Sequence, residues 1–223
     1  MLDPRLWQIY LSASKLFVHQ GYSKTQIGHI VRETGISTGA IYDLFAGKQA
    51  LFQFVLQCTM DPEFIHGLQQ LPIQEIAFSA LEQQVHSCLD EVVMRFGAPL
   101  RKGDADYSCP QMLSDAFELL SQYRTGCLLF EANPAVYPDL FRYYKEYRLK
   151  FYQTVLEYVQ RFIENGILRA QLNPGHTAKF IIETLYWWSM HIHYDGFNPS
   201  MAIPEESAKE ICLDALIHAY QAK

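Results

Sequence analysis

Apolar residues recur at helical spacing along almost the whole chain, and no segment has the alternating apolar and polar pattern that is typical of a half-buried β-strand. The first helical pattern consists of Leu6, Ile9, Tyr10, Ala13, Leu16 and Phe17. These residues recur every three or four positions, so they would form one apolar face that packs into a core. The chain is therefore predicted to be all-α.

Two shorter helical patterns follow, and residues 33–37 (Glu-Thr-Gly-Ile-Ser) separate them. Gly35 lies where the chain must reverse between helices, and glycine adopts a positive φ there without steric cost. Ser37 is placed to cap the second of these helices with its hydroxyl, while Ser23 and Gln26 have capping-box spacing at the start of the first. Two helices joined in this way are typical of a helix-turn-helix, whose second helix lies in the DNA major groove, and they predict a DNA-binding protein.

The rest of the chain is predicted to be a larger helical bundle. A fourth helix begins after Gly47 and ends at a break marked by residues 61–62, Asp-Pro. Residues 100–110 are expected to form a polar loop. Further helices are expected over residues 72–97, 110–126, 135–165, 174–194 and 204–221. The predicted domains are a three-helix DNA-binding head, residues 1–46, and a larger helical domain, residues 47–223.

The amino-terminal part also contains a set of residues at fixed spacings that extends over about forty positions. Its members are Ala13, Leu16, Phe17, Gly21, Tyr22, Thr25, Ile27, Ile30, Gly35, Ile36, Ser37, Gly39, Ile41, Tyr42, Phe45, Lys48 and Leu51. In this set the chain resembles the tetracycline-repressor (TetR) family of transcriptional regulators, and so many matching spacings are more specific than one short motif. The resemblance implies a head that binds a double-stranded DNA operator and a helical domain that binds an effector and forms a homodimer.

The resemblance also implies which residues contact DNA. It assigns this role to Thr25, Thr38, Gly39, Ala40, Tyr42 and Lys48. The three residues that begin the second helix of the motif are expected to approach base edges. Tyr42 and Lys48 are expected to contact phosphates, and Thr25 is expected near the DNA backbone at the start of the supporting helix.

The charge of the chain is unevenly distributed. Residues 1–50 carry five basic and three acidic side chains, a net charge of +2, although the whole chain has a net charge of −6. The positive charge therefore lies in the part of the chain where phosphate groups would be neutralised. Because the excess is small, we expect that two heads act together in a homodimer that reads two half-sites.

The last two predicted helices carry apolar residues that one core does not obviously need. Trp187 and Trp188 diverge by about 100° on a helix, so one can face the core while the other faces outward. The last helix has an apolar stripe, consisting of Ile211, Cys212, Ala215, Leu216, Ala219 and Tyr220. The resemblance implies that these two helices pair with their copies in a dimer, although a single internal core could also explain the stripe.

The helical domain is also expected to bind a small molecule. Aromatic residues make up 14% of the chain, and helices that carry aromatic residues and several histidines would suit a mainly apolar cavity with a few polar anchors. Together with the resemblance, this composition predicts a small apolar or aromatic effector. The candidate pocket residues are Cys88, Met112, Phe117, Phe130, Trp188 and His191.

Other kinds of site receive little support from the sequence. His191, His193 and Asp195 suggest a metal site, but residues two apart do not share a helix face and the remaining pair makes a poor site. The five cysteines include no C-x-x-C pair, and no catalytic or phosphate-binding motif occurs. We therefore expect no metal, no cofactor and no catalytic residues. With no run of eighteen apolar residues and no signal-peptide pattern, a cytoplasmic protein without a membrane span is expected.

Two functions from different classes remain. The leading hypothesis is a ligand-responsive transcriptional repressor that an effector releases from its operator. The alternative is a carrier of a small molecule or lipid that has the same fold and does not bind DNA. Gly28 and Asp43 favour the carrier, since the family often has DNA-contacting or neutral residues at these positions, and so does the small basic excess. Tyr42 and Lys48 argue against it.

Overall fold

The computed structural model describes residues 3–67, 70–194 and 202–222, and within these ranges the chain forms α-helices and no β-strand. The helices are α1 (Pro4–His19), α2 (Ile27–Thr34), α3 (Thr38–Leu44), α4 (Lys48–Met60), α5 (Phe78–Phe96), α6 (Ala98–Lys102), α7 (Cys109–Gln122), α8 (Arg124–Ala132), α9 (Pro138–Glu164), α10 (Pro174–Ser189) and α11 (Glu205–Tyr220). The prediction of an all-α chain with a helix-turn-helix is confirmed.

The chain divides into two compact units. The first unit consists of Met1–Cys88 and Thr125–Tyr143, and the second of Leu89–Arg124 and Tyr144–Lys223. These units differ in extent from the predicted domains, because the first unit contains the whole predicted head together with α4 and parts of α5, α8 and α9. The division into domains at residues 46 and 47 stays a prediction.

Most predicted helices are present, but the helix expected over residues 72–97 begins only at Phe78. The preceding segment is engaged elsewhere. The Ile73 amide donates to the carbonyl of Leu44 at 2.8 Å, and the Ala46 amide donates to the carbonyl of Ile73 at 3.0 Å. This pairing holds the chain just after α3, and helical periodicity alone does not reveal it.

Two further differences concern short helices. Residues 98–102 form α6, which overlaps the start of the polar loop expected over residues 100–110. Residues 124–132 form α8, which is separate from α7. The sequence predicts one helix over residues 110–126, which would include the first residues of α8. The structure instead ends α7 with Tyr123 as its C-cap.

The first unit is built around α4. Residues 50–59 of this helix are all buried, which is typical of a helix in the middle of a core rather than at a surface. Phe54 of α4 meets the ring of Phe45 edge-on at 5.1 Å, and Phe52 meets Phe17 of α1 at 5.2 Å. The core of the first unit therefore joins α4 to α1 and to the residue that follows α3.

Polar groups in this buried helix are satisfied by neighbours in the same unit. The Gln53 side chain donates to the Tyr137 hydroxyl at 3.0 Å and accepts the amide of Ile76 at 2.8 Å. Close packing is also required on the side of α8. A Cβ added at Gly126 of α8 would lie 2.9 Å from a side-chain methyl of Thr59, so that helix approaches α4 closely only because glycine stands there.

In the second unit α7, α10 and α11 pack against one another. Their packing divides the predicted stripe on α11 into two faces. Cys212 and Leu216 are buried within this unit, whereas Ile211 is 49% exposed. The internal core thus accounts for part of the stripe and leaves the rest on the surface.

Replacing Phe54 with alanine tests the role of α4 as the core of the first unit. Phe54 is fully buried, so Phe54→Ala should lower the free energy of unfolding by about 3–5 kcal/mol. Leu11→Ala is the control, since Leu11 of the same unit is 51% exposed and its loss should change stability by less than about 0.5 kcal/mol. Urea unfolding followed by circular dichroism measures both. Equal shifts for the two variants would contradict the arrangement.

Candidate nucleic-acid interface

The helix-turn-helix is formed by α2 and α3, and only residues 35–37 separate them. Gly35 has a φ of +72°, and its amide donates to the carbonyl of Val31 at 2.8 Å. The Ser37 hydroxyl accepts the amide of Ala40 at 3.3 Å and so caps α3. Both roles are those predicted from the sequence, because a left-handed residue after a helix and a hydroxyl before the next one are local requirements.

The start of α2 differs from the prediction. The capping box expected at Ser23 is wrong, since α2 begins at Ile27 with Gln26 as its N-cap. The Gln26 amide donates to Nδ1 of His29 at 3.4 Å. At the other end of α2, the side chain of Gln8 in α1 donates to the carbonyl of Thr34 at 2.8 Å. The supporting helix is therefore fixed to α1 where the turn begins.

The exposed face of α3 carries the residues expected to meet DNA. Ile41 and Leu44 are fully buried, whereas Thr38 and Gly39 are exposed and Tyr42 is 50% exposed. Ala40, which was also expected to approach bases, is half-buried. This face offers a hydroxyl, a methyl group and a phenol to a partner.

Gly39 has no reason to be glycine within the fold. A Cβ added there would meet no atom within 4 Å, and the φ of Gly39 is not positive. The expected approach of Gly39 to bases stays a prediction.

Lys48 has a different setting from the one predicted. Its ammonium donates to the carbonyls of Tyr22 at 2.9 Å and Thr25 at 3.0 Å, and it lies 4.1 Å from the centroid of the Tyr22 ring. An ammonium has three donors, so one remains for an external acceptor such as a phosphate. Lys48 thus holds the segment before α2 first, and any contact with DNA would use the remaining donor.

Thr25 requires a correction. Its side chain is fully buried, and its hydroxyl donates to the carbonyl of Gly21 at 2.8 Å and lies 3.2 Å from the carbonyl of Leu16. A buried hydroxyl that is bonded to backbone carbonyls cannot also reach a phosphate. Thr25 therefore stabilises the segment between α1 and α2, and its side chain is not available for a contact to DNA.

The sequence prediction omitted other cations that the structure leaves accessible. Lys15, Lys24 and Arg32 are exposed on the first unit. Arg5 is less available, because its guanidinium lies 2.6 Å from the Asp3 carboxylate and its hydrogen bond lowers the pKa of that carboxyl. Positive charge on exposed lysine and arginine close to a helix-turn-helix is the signal that could have identified these residues.

The six residues nominated for an effector pocket do not all belong to the same unit. Cys88 and Phe130 lie in the first unit, while the other four lie in the second. Met112 and Phe117 are buried in the core, whereas Trp188 is half-buried. The nomination of these residues stays a prediction.

The second unit has an open cleft of about 540 Å³, and none of the nominated residues lines it. The residues that do are Arg148, Leu149, Tyr152, Lys179, Ile182 and Glu183. The Glu183 carboxylate lies 2.5 Å from the Lys179 ammonium and 3.3 Å from the Arg148 guanidinium. The cleft thus combines apolar side chains with a paired set of charges.

The end of α10 carries the adjacent tryptophans. Trp187 is 53% exposed and stacks on His191, with ring centroids 5.4 Å apart. Within the described ranges there is no group of three or more histidine, cysteine, aspartate or glutamate residues that could hold a metal ion. Asp195, the third member of the metal hypothesis, lies outside the described residues.

No disulfide joins the five cysteines, and burial controls the thiol chemistry of three of them. It raises the pKa of Cys58 to about 12 and the pKa values of Cys109 and Cys212 to about 11. Thiols with such values are protonated at neutral pH and are poor nucleophiles. Among the helices that the structure describes, none is long and apolar enough to cross a membrane.

Part of the chain matches known regulators in sequence. Residues 9–55 match the family model described as bacterial regulatory proteins, tetR family. A part 82 residues long is 35% identical to the HTH-type transcriptional regulator HbdR of Aromatoleum sp. (strain CIB). That match covers 34% of this chain and 35% of the relative, so the chain spans about a third of the length of the relative that it matches.

Two solved structures resemble the chain over nearly its whole length. The ketosteroid transcriptional regulator KstR2 of Mycobacterium tuberculosis is 14% identical with a TM-score of 0.57, and the likeness covers 100% of this chain and 98% of that one. A bacterial regulatory protein of the tetR family from Rhodococcus RHA1 is 13% identical with a TM-score of 0.51, and the likeness covers 99% of each chain. At these identities the likeness shows the fold alone.

The raised pKa values of the buried thiols predict a pH dependence of stability. In the unfolded chain a thiol loses its proton near pH 8.5, whereas in the folded chain Cys109 and Cys212 keep theirs until about pH 11. The folded state thus binds more protons in this window, so the free energy of unfolding should fall as the pH rises above about 8.5.

Labelling with a thiol reagent at pH 8 tests the burial of the thiols, on which this prediction rests. Cys109 and Cys212 should react slowly in the folded protein and rapidly once it is unfolded in urea. Cys88, which is half-buried, is the internal reference and should react first. If Cys109 or Cys212 reacts as fast as Cys88 in the folded protein, that thiol is not buried as described.

Proposed function

We propose that this chain, whose residues 9–55 match the tetR family of bacterial regulatory proteins, is a transcriptional regulator of that family and binds a double-stranded DNA operator through α3. The observation that carries the proposal is the exposed face of α3, with Thr38, Gly39 and Tyr42 on it, in a helix-turn-helix with a left-handed Gly35. Such a face is positioned to enter a major groove while the buried face of α3 anchors it to the unit.

The proposed contacts are of two kinds. Thr38 lies at the amino end of α3, where its hydroxyl and methyl group can meet a base edge. Tyr42 would donate its hydroxyl to a phosphate, and Lys24 and Arg32 would add positive charge. The remaining donor of Lys48 would reach a phosphate only while its other two hold the segment before α2.

We further propose that the protein acts as a homodimer. Phe180 and Trp187 of α10 and Ile211 of α11 are each about half exposed or more, and they are large apolar side chains on two helices that pack together. Exposed apolar residues on adjacent helices support a surface that a partner covers. With two copies of the head, the recognition helices would be held about 34–36 Å apart, which is one turn of duplex.

Regulation by a ligand is the finer part of the proposal. The effector would be a small apolar or aromatic molecule that binds one of two conformations of the helical domain better and thereby releases the operator, and the protein would act on its target genes as a repressor. Among the nominated residues, Cys88, Trp188 and His191 are partly accessible, whereas Met112 and Phe117 would have to move to meet a ligand.

A carrier of small molecules remains the second candidate function, and one observation favours it. Two cations in or directly after the predicted head are engaged within the chain: Arg5 with Asp3, and Lys48 with two carbonyls. Asp43 is exposed on α3, where a carboxylate would repel phosphates. A carrier would bind DNA weakly or not at all, so retention on a DNA column at low salt with a steep loss at moderate salt separates the two functions.

The two kinds of contact predict different effects of substitution. Lys24→Ala should weaken binding to an operator and to a scrambled duplex alike, and it should reduce the slope of log K against log salt by about one. Thr38→Ala should change the preference between the two duplexes by about 1–3 kcal/mol per contacted base pair. Fluorescence anisotropy at two or more salt concentrations measures both.

The matched control for Lys24→Ala is Lys150→Ala. Lys150 is an exposed lysine of the second unit, paired with Asp90 at 3.3 Å, and its loss should change neither affinity nor salt slope. If Lys24→Ala and Lys150→Ala behave alike, Lys24 does not contact phosphates. A parent protein that binds neither duplex at low salt would favour the carrier.

The proposed dimer predicts a change of mass on substitution at the exposed face. Leu216, in the stripe expected at the interface, is buried within a single chain, so its replacement would test folding rather than association. Ile211→Glu should instead yield folded monomers near 25.8 kDa, because it places a carboxylate on the covered surface. Sedimentation velocity measures the mass. Met94→Glu is the control, since Met94 lies on α5 and is 59% exposed. A monomeric parent, or a dimer that Ile211→Glu leaves intact, would overturn the assignment.

A further inference from the structure

The turn between α1 and α2 (residues 20–26) is held by an amide side chain that follows α8. The Nδ2 group of Asn133 donates to the carbonyl of Phe17 at 3.1 Å, and its Oδ1 accepts the amide of Tyr22. The second hydrogen of Nδ2 is donated to the carbonyl of Leu129, one turn earlier, at 2.8 Å. Asn133 lies 111 residues from Tyr22 in the sequence, within the same compact unit.

This arrangement uses the hydrogen-bonding groups of the amide completely. Asn133 is only 8% exposed, both of its N–H groups are donated, and its oxygen is engaged. The donor faces the Phe17 carbonyl at the end of α1, and the acceptor faces the Tyr22 amide in the turn. A carboxylate lacks the donors and an aliphatic side chain lacks both functions, so the site is specific for an amide.

A second side chain holds the same residue from the other side. The carbonyl of Tyr22 accepts from the Lys48 ammonium of α4, while its amide is bound by Asn133. Both backbone polar groups of Tyr22 are thus fixed by side chains, one from α4 and one from the residue that follows α8. Tyr22 also packs its ring on Phe17 and Phe52, with centroids 5.9 and 5.2 Å away. The turn therefore has little freedom to shift unless α4 or the end of α8 shifts with it.

The turn determines where the DNA-binding helices lie. The supporting helix α2 begins at Ile27, directly after the turn, and only residues 35–37 separate it from α3. A displacement of Tyr22 is therefore carried to α2 and from α2 to α3. The residues that match the family model end at position 55, so Asn133 acts on this segment from outside it.

We infer that Asn133 is a positioning residue for DNA binding, which links the end of α8 to the α1–α2 turn and so sets the placement of α2 and α3. It touches no DNA, and the inference rests on the proposed function. A movement of α8 would be transmitted to the turn through the hydrogen bonds of this amide. The linkage supplies a defined physical connection, of the kind that coupling between sites requires.

The test uses the full-length protein with two substitutions at Asn133. Asn133→Ala removes the amide. Asn133→Asp keeps the size and the acceptor for the Tyr22 amide but places a carboxylate oxygen against the Phe17 and Leu129 carbonyls, so it removes both donated hydrogen bonds without leaving a cavity. The matched control is Asn173→Ala, since Asn173 caps α10 in the second unit by accepting the amide of His176 at 3.0 Å. It loses the same side chain at a site far from the turn in sequence.

Two readouts separate positioning from a general loss of stability. The first is amide hydrogen exchange over residues 17–34 without DNA. The variants are compared at temperatures equally far below their own unfolding midpoints. The second is affinity for a duplex that the parent binds, at several salt concentrations. Both Asn133 variants should accelerate exchange in residues 17–34 and lower the affinity by about fivefold or more, with an unchanged salt slope, because no phosphate contact is removed. Asn173→Ala should do neither.

The inference is overturned if the Asn133 variants exchange and bind like Asn173→Ala, or if their salt slope falls as it does for a phosphate-contacting lysine. Failure of the proposed function gives a different result. In that case the parent itself binds no duplex, while the exchange measurement, made without DNA, still shows whether Asn133 holds the turn. A variant that unfolds at 25 °C while Asn173→Ala stays folded would assign Asn133 to the stability of the unit and contradict a positioning role.

Discussion

Residues 50–59 of α4 are buried on every side, and the first unit is arranged around this helix. A helix without an exposed face needs neighbours all round, and here they are α1, the chain after α3, and α8 at the close approach of Gly126 to Thr59. The same helix begins with Lys48, whose ammonium binds the turn before α2. The scaffold that stabilises the unit therefore also fixes the supporting helix of the helix-turn-helix.

Side chains around the motif fall into two groups that the sequence alone did not separate. Thr25, Lys48 and Asn133 direct their polar atoms to backbone groups of the unit and hold the segment between α1 and α2. Thr38 and Tyr42 direct theirs to the surface of α3. Burial distinguishes the groups, because a polar atom that is bonded inside the unit is not available to a partner. DNA binding would need both groups of side chains. The turn before α2 sets the position of α2 and α3, and the contacts to DNA depend on that position.

The features that the sequence predicted correctly depend on near neighbours. Gly35 and Ser37 shape the turn and the cap within a few residues of themselves, so their types reveal their roles. The pairing of Ile73 with the chain after α3, by contrast, joins residues more than twenty positions apart, and Asn133 reaches the turn across 111 positions. Periodicity contains no information about such partners. It likewise could not show that Leu216 is used within one chain, whereas Ile211 is left at the surface.

The central claim is that the exposed face of α3 binds DNA, and hydroxyl-radical footprinting of the protein tests it most directly. A bound duplex should lower the modification rate of Tyr42, which is 50% exposed, several-fold. Met94, which is 59% exposed on the second unit and lies outside the proposed dimer surface, should be modified at the same rate with and without the duplex. Binding of a duplex that leaves the rate at Tyr42 unchanged would contradict the claim, as would the absence of any duplex that the protein binds.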